Sequence, residues 1–181
     1  GSLRNKGIEV VLNGTPVKGE KWNWNTSFIY SRNRNEALDV GGLRLFSTNS
    51  GAPVSIINGQ PIGVFYGTFF ARNPDGSLLT NAAGIPMIER GIQNSATTFT
   101  PQRDANGMPT GTTLRKVLGN PNPDYTFSFV NDISYKKLSL HVQLDAVRGG
   151  DVWNADWRTR QGVGNGKVAE QEQKGELPRG Y

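Results

Sequence analysis

DYTFSFVNDISYKKLSLHVQLDAV, residues 124–147, is the stretch whose alternation decides the fold. In its first half Tyr125, Phe127, Phe129, Ile133 and Tyr135 share one face, interrupted only by Asn131, while Thr126, Ser128, Asp132 and Ser134 fall on the other. In its second half Leu138, Leu140, Val142, Leu144 and Ala146 oppose Ser139, His141, Gln143 and Asp145. Successive strand residues point to opposite sides, so this period of two predicts an antiparallel ribbon, apolar on one surface and hydrophilic on the other, turning at Lys136 and Lys137. Two environments suit such a ribbon. In a soluble sandwich the apolar side packs on a second sheet; in a membrane β-barrel it meets lipid and the polar side lines the lumen. Each half matches the roughly 9–11 residues of a membrane-crossing strand. Tyr125 and Tyr135 bracket the apolar residues as interfacial girdles do. Those details favour the barrel, while periodicity alone leaves both readings open.

Composition narrows the classes. Of 181 residues only 35% are hydrophobic, and mean hydropathy is -0.49. No run approaches the ~18 apolar residues of a membrane helix, which excludes a helical membrane protein and says nothing against a barrel. The absence of cysteine excludes disulfides, thiolate metal sites and cysteine nucleophiles, and a single histidine, His141, excludes multi-histidine metal sites. The net charge of +5 comes from scattered Lys and Arg. That pattern fits a solvated basic surface and not a nucleic-acid partner. The 23 glycines and 10 prolines predict many turns and long loops. No signal peptide is visible at Gly1, as expected if it has been removed or if the chain is an internal piece of a longer one.

Outward from the hairpin, GIEVVLN at 7–13 alternates Ile8, Val10 and Leu12 against Glu9 and Asn13, and predicts a strand closed by a turn from Gly14 to Gly19. KWNWNTSFIYSR at 21–32 places Trp22, Trp24, Phe28 and Tyr30 with Thr26 on one face, against Lys21, Asn23, Asn25, Ser27 and Ser31. Residues 33–59 read as a long loop with a short strand at 54–57. GQPIGVFYGTFFA at 59–71 reads as a strand bent or bulged at Gly63 or Gly67. A turn at Pro74–Gly76 lets Leu78 and Leu79 pair back, and Thr112 to Leu118 gives one further strand. RGGDVWNADW at 148–157 leads into a polar tail with no strand of convincing length. The predicted architecture is all-β, an antiparallel meander: 1–147 carry barrel strands and loops, and 148–181 a loop region in which the barrel is incomplete.

NKGIEVVLN, WNWNTSFIYSRNRNE, GQPIGVFYG and LGNPNPDYTFSFVNDISYKKLSLHVQLDAVRGGDVWN, in that order, resemble the C-terminal half of the barrel in SusC/RagA-type TonB-linked outer-membrane receptors. The GNPNPD run at 119–124, the Tyr135–Lys136 turn and the GGDVWN run at 149–154 carry most of its specificity. The resemblance implies an importer in the cell outer membrane: a barrel of about 22 strands, long extracellular loops, a plug through which TonB acts, and a SusD-like surface lipoprotein that captures oligosaccharides or peptides. Plug, TonB box and an aromatic-ended final strand are not found in this sequence, so the chain is read as an internal fragment. Many family members also carry a DxNxDG-type loop before the GNPNPD run. Here only Asp104, Asn106 and Gly107 remain, too few oxygen ligands for calcium, so a turn is expected and no metal or cofactor.

In that topology the turns at Gly14–Gly19 and Lys136–Lys137 are periplasmic, and the loops at 35–59 and from Arg148 extracellular. Any strands crossing between Asn35 and Asn122 must be even in number, or none. Trp22, Trp24, Phe28, Tyr30, Tyr125, Phe127, Phe129, Tyr135, Leu138, Leu140, Val142 and Leu144 would face outer-membrane lipid. Ser128, Asp132, Ser139, His141, Gln143 and Asp145 would line the lumen. Asp151, Trp153, Asn154 and Trp157 combine aromatic platforms with hydrogen-bonding groups and are the candidate substrate contacts, with loop packing as the plainer alternative. No enzyme is expected. Asp124 and Asp132 lie roughly 26 Å apart along a strand, far beyond a glycosidase pair, and His141 and Asp145 lie roughly 13 Å apart, too far for a dyad unless another strand intervenes. The rival reading is an autonomous soluble β-rich glycan-binding module or adhesin, which requires Trp22, Trp24, Phe127 and Phe129 to be buried against one another.

Overall fold

The computed structural model describes residues 1–41 and 53–181. In chain order its strands are β1 (Ser2–Lys18), β2 (Trp22–Asp39), β3 (Val54–Ser55), β4 (Val64–Thr68), β5 (Arg90–Gln93), β6 (Phe99–Pro101), β7 (Thr112–Thr113), β8 (Arg115–Gly119), β9 (Pro123–Tyr135) and β10 (Leu138–Gly149). Helices α1 (Ala155–Gly162) and α2 (Lys167–Gln173) follow. The long strands form one antiparallel sheet in the order β1-β2-β9-β10. The central hairpin is in the register its alternation implies, with Tyr135 opposite Leu138 and Phe129 opposite Leu144.

Both upstream strands are longer than the period suggests. β1 does not end at Asn13. It continues through a bulge between Gly14 and Val17, which takes up Pro16 where no amide proton is available for the ladder. The reversal comes later, where the Gly19 amide donates to the Trp22 carbonyl at 2.8 Å. β2 likewise runs on to Asp39, into what reads as loop. Arg32, Asn33, Arg34 and Asn35 stay paired with Ile8, Gly7, Lys6 and Asn5. Backbone pairing outlasts the apolar band; the alternation fades because both faces are polar there. The rest of the expected 35–59 loop includes residues 42–52, which lie outside the described residues.

β2 lies beside β9, with Phe28 opposite Phe129 and Trp22 opposite Tyr135. Among the described residues no further strand joins this sheet between them, so β3 to β8 form one excursion from a single end of the sheet. Within it the GQPIGVFYG strand pairs with the 112–118 region as expected, Tyr66 opposite Val117 and Gly67 opposite Lys116, but its irregularity falls between Phe65 and Tyr66 and not at Gly63 or Gly67. The 112–118 strand itself is split. Leu114 is fully buried and donates its amide to the Glu89 carbonyl at 3.0 Å, which separates β7 from β8.

The excursion is a module with its own small core, Ile57, Val64 and Tyr66 with Ala96 and Val117 packed against them. Three similar turns punctuate it. Asn73–Ser77, Asn81–Ile85 and Asp104–Met108 each close with an amide-to-carbonyl bond between their first and fifth residues, at 2.9, 2.9 and 3.0 Å. Each carries a glycine at positive φ in fourth place, Gly76, Gly84 and Gly107. The segments that the first two turns connect close a ring of backbone bonds: Ala71 donates to Met87, Met87 to Leu79 and Leu79 to Ala71, at 2.8–2.9 Å. The tail after Asn154 forms two short helices in place of the irregular loop expected there, without a strand.

Candidate functional site

The four-stranded sheet is a two-sided wall. Cross-strand neighbours bring Ile8, Val10 and Leu12 of β1, Phe28 and Tyr30 of β2, Phe127 and Phe129 of β9 and Leu144 of β10 onto one face. No second sheet covers them among the described residues: Leu140 is 57% and Leu144 59% exposed. The soluble rival requires the aromatic faces to close on one another. Instead they lie side by side, Trp22 beside Tyr135 at 4.6 Å, Phe28 beside Phe127 at 6.2 Å and Tyr30 beside Tyr125 at 5.7 Å between ring centroids. These pairs set the ends and middle of an aromatic band. From Tyr125 to Tyr135 is ten steps, about 33 Å along a strand at ~3.3 Å each. Tilted at about 40°, that projects to ~25 Å, the height of the apolar belt of an outer-membrane barrel.

Asn131, the one break in the apolar face of β9, has a partner that explains it. Its Oδ1 accepts from the Trp24 indole at 3.0 Å, and Asn131 is buried. Beside them the Thr26 hydroxyl donates to the Val130 carbonyl at 3.2 Å. A tryptophan inside an apolar band must satisfy its N–H within the sheet, and Asn131 does so. Reading the register across β2 and β9, which sets Trp24 beside Ile133 and Thr26 opposite Asn131, would have found this pair.

On the opposite face the hairpin joins the polar residues. His141 Nδ1 lies 2.6 Å from Asp132 Oδ1, Ser128 bonds Asp145, and Gln143 donates to Asp145 Oδ2 at 2.9 Å. Ser139 lies opposite Ser134. The dyad distance that rules out His141 with Asp145 within one strand is bridged from the neighbouring strand by Asp132. A cleft of about 360 Å³ lined by Asn13, Thr15, Asn25, Ser27 and Asp132 opens on the same side, next to the Gly14 bulge.

The motif residues meet at the joint between wall and module. Asn35 Nδ2 donates to Asn122 Oδ1 at 2.9 Å, and Asn35 Oδ1 accepts from the Ile62 amide at 2.7 Å. Asn122 Nδ2 donates to the Ile62 carbonyl at 2.9 Å and to Asn120 Oδ1 at 2.7 Å. The Asn120 amide donates to Asp151 Oδ2 and the Asp151 amide to the Asn120 carbonyl, both at 2.7 Å. Next to this, Arg34 pairs with Asp124 at 2.7 Å. Gly149, at φ +75°, must lack a side chain: a Cβ there would sit 2.4 Å from Asp124 Oδ2. The GNPNPD and GGD runs are therefore two halves of one clasp. Their role was invisible in sequence because its partners come from four separate segments.

The four candidate substrate contacts are dispersed. Asp151 belongs to the clasp. Trp153 packs on Phe65 of the module at 6.2 Å, and Asn154 caps α1, accepting from the Trp157 amide at 2.8 Å. Only Trp157 stands clear, 57% exposed. Asp104 Oδ1 accepts from the Asn106 and Met108 amides at 2.8 and 2.9 Å, a turn's bonding pattern, and no cluster of three or more His, Cys, Asp or Glu positioned for a metal occurs among the described residues. The module also holds an ion pair that the sequence did not announce. Arg103 grips Glu89 with two hydrogen bonds, at 2.5 and 2.8 Å, and its guanidinium holds the buried Glu89 carboxyl below the usual range.

An antiparallel wall with an uncovered apolar belt, a polar reverse face, a short turn at one end and a large module at the other defines a segment of a transmembrane β-barrel. No family model matches the chain. It is 32% identical over 167 residues to TonB-dependent receptor P26 of Formosa agariphila, covering 87% of this chain and 16% of that protein. It is 29% identical over 169 residues to TonB-dependent receptor P3 of the same organism, covering 85% and 16%. Its fold matches the structure of the RagAB peptide transporter with a TM-score of 0.55 at 23% identity, over 81% of this chain and 15% of that one. The chain thus spans about one-sixth of the length of the relatives it matches. The sequence relatives make it a fragment of a TonB-dependent receptor, and its fold is that of a segment of such a β-barrel.

Proposed function

We propose that this segment is part of the wall and outer surface of an outer-membrane importer, one that takes up oligosaccharides or peptides with energy delivered by TonB to a plug and with a SusD-like lipoprotein at its mouth. The observation that supports the reading best is the uncovered belt of Phe28, Phe129, Leu140 and Leu144, backed by a hydrogen-bonded polar face. Lipid would cover the first, and the lumen, with plug and substrate, would meet Ser128, Asp132, Ser139, His141, Gln143 and Asp145. The module, with Trp157 beyond it, would lie outside the cell. Relatedness to receptors that are named TonB-dependent, and the likeness to a peptide transporter, agree with this role. Adjacent positions on β10 provide the test, since the segment has no cysteine of its own. In the full receptor in native outer membranes, a fluorophore on Leu144→Cys should be quenched by brominated lipid and one on Gln143→Cys should not. Equal quenching of both, or recovery of the protein in a soluble fraction, refutes the reading.

A further inference from the structure

The module contains a pocket of about 410 Å³ between β4, β8 and the segment around Glu89, lined by Phe69, Phe70, Arg72, Glu89, Lys116 and Leu118. Its apolar wall is ready-made: Phe69 is braced on Phe99 at 5.2 Å, and Phe70 is 53% exposed. Its charge is one-sided. The Glu89 carboxylate is occupied by Arg103, whereas Lys116 and Arg72 pair with no carboxylate among the described residues. Lys116 Nζ sits 4.3 Å above the Phe69 ring, and Arg72 gives one N–H to the Gly76 carbonyl, which leaves its other donors free. Two cations at an aromatic, aliphatic cleft select a compact anion attached to an apolar group.

We propose that this pocket binds the C-terminal residue of an oligopeptide: the α-carboxylate goes to Lys116 and Arg72, and an apolar side chain rests on Phe69, Phe70 and Leu118. A sugar ring fits less well. Its hydroxyls need several neutral or anionic partners, and the lining offers only Thr68 and a carboxylate that Arg103 already holds. The volume suits one or two residues of a peptide. The assignment deepens the importer reading, naming its substrate class, and rests on that reading for the step from binding to uptake.

The test uses purified full-length receptor and a fluorescein-labelled tetrapeptide ending in leucine, as the free acid and as the C-terminal amide, followed by anisotropy. The acid should bind about tenfold more tightly than the amide, the scale of one charge-assisted contact. Lys116→Gln and Arg72→Gln should each weaken the acid and leave the amide unchanged. Equal affinities for acid and amide in the unmodified receptor overturn the proposal without reliance on any variant. So does a galacturonate oligomer that binds in a Lys116-dependent manner while the peptide does not. The two readings fail separately: a negative peptide result leaves the lipid quenching at residues 143 and 144 untouched, and a reversed quenching pattern leaves peptide binding untouched.

Discussion

Replacing Asn122 by alanine tests the clasp most directly. The substitution removes three side-chain hydrogen bonds, to the Ile62 carbonyl, to Asn120 Oδ1 and from Asn35 Nδ2. The bond from the Asn122 amide to the Asn120 side-chain Oδ1 survives, since it does not use the lost side chain. At roughly 1 kcal/mol net for each partly buried bond, the loss is about 2–3 kcal/mol, because Asn35 and the Ile62 carbonyl regain some bonding to water. That energy acts on the opening of module from wall, so amides bridging them should exchange about 30- to 150-fold faster. Hydrogen exchange on the full receptor reads this at the Ile62 amide, held by Asn35, and at the Ala37 amide, held by the Gln60 carbonyl. The β10 amides paired with β9 should not change. Acceleration below about threefold at Ile62 and Ala37, or equal acceleration in β10, would refute the clasp as the structure's joint.

Three further outcomes follow from named contacts. Asn131→Ala leaves the Trp24 N–H without its acceptor in the apolar face and should destabilise the barrel by about 1–3 kcal/mol; adding Trp24→Phe should recover most of that, read by urea midpoints of the folded receptor in detergent. Gly149→Ala places a methyl against Asp124 at a positive φ and should lower the heat-modification temperature on gels by an amount matching about 1–3 kcal/mol, whereas Gly162→Ala, with nothing near its Cβ, should not. Because Arg103 depresses the Glu89 carboxyl below its ordinary 4.5, the pair stabilises the module above that pH, and the benefit disappears as pH falls through the folded value. Glu89→Gln should therefore speed proteolysis within residues 90–113 at pH 7, and variant and parent should converge in acid.

What was legible in the sequence was whatever repeats with period two inside the apolar band. β9 and β10 could be read whole, and β1 and β2 only where Ile8 to Leu12 and Trp22 to Tyr30 alternate. The polar extensions of those strands are held by the same ladder but carry no pattern to mark it. Cross-strand chemistry was also within reach: pairing Tyr135 with Leu138 sets Asp132 opposite His141, but distances counted along one strand conceal it. The helix at Ala155 had an announcing residue in Asn154, an N-cap type followed by Asp156 in the first turn. The clasp had no such signal. Asparagines serve turns everywhere in this chain, and nothing local distinguishes Asn35 and Asn122 from the rest.

The clasp also explains how so long an excursion is compatible with a well-defined wall. Closure entropy rises only slowly with loop length, so the cost of a long loop lies less in closing it than in ordering its interior. Among the described residues the module meets that ordering cost with a small set of buried apolar side chains, Ile57, Val64 and Tyr66 with Phe65, Ala71 and Leu114, and with turns that satisfy their own amides through Asn81 and Asp104. Such a body has little cooperative stability by itself. Fixing its two entrances, Asn35 at the end of β2 and Asn120 to Asn122 at the start of β9, ties it to strands whose own ladder is continuous. The dependence runs one way. The register of the wall does not pass through the module, because β2 and β9 pair directly, whereas the position of the module is set at both its entrances by the wall.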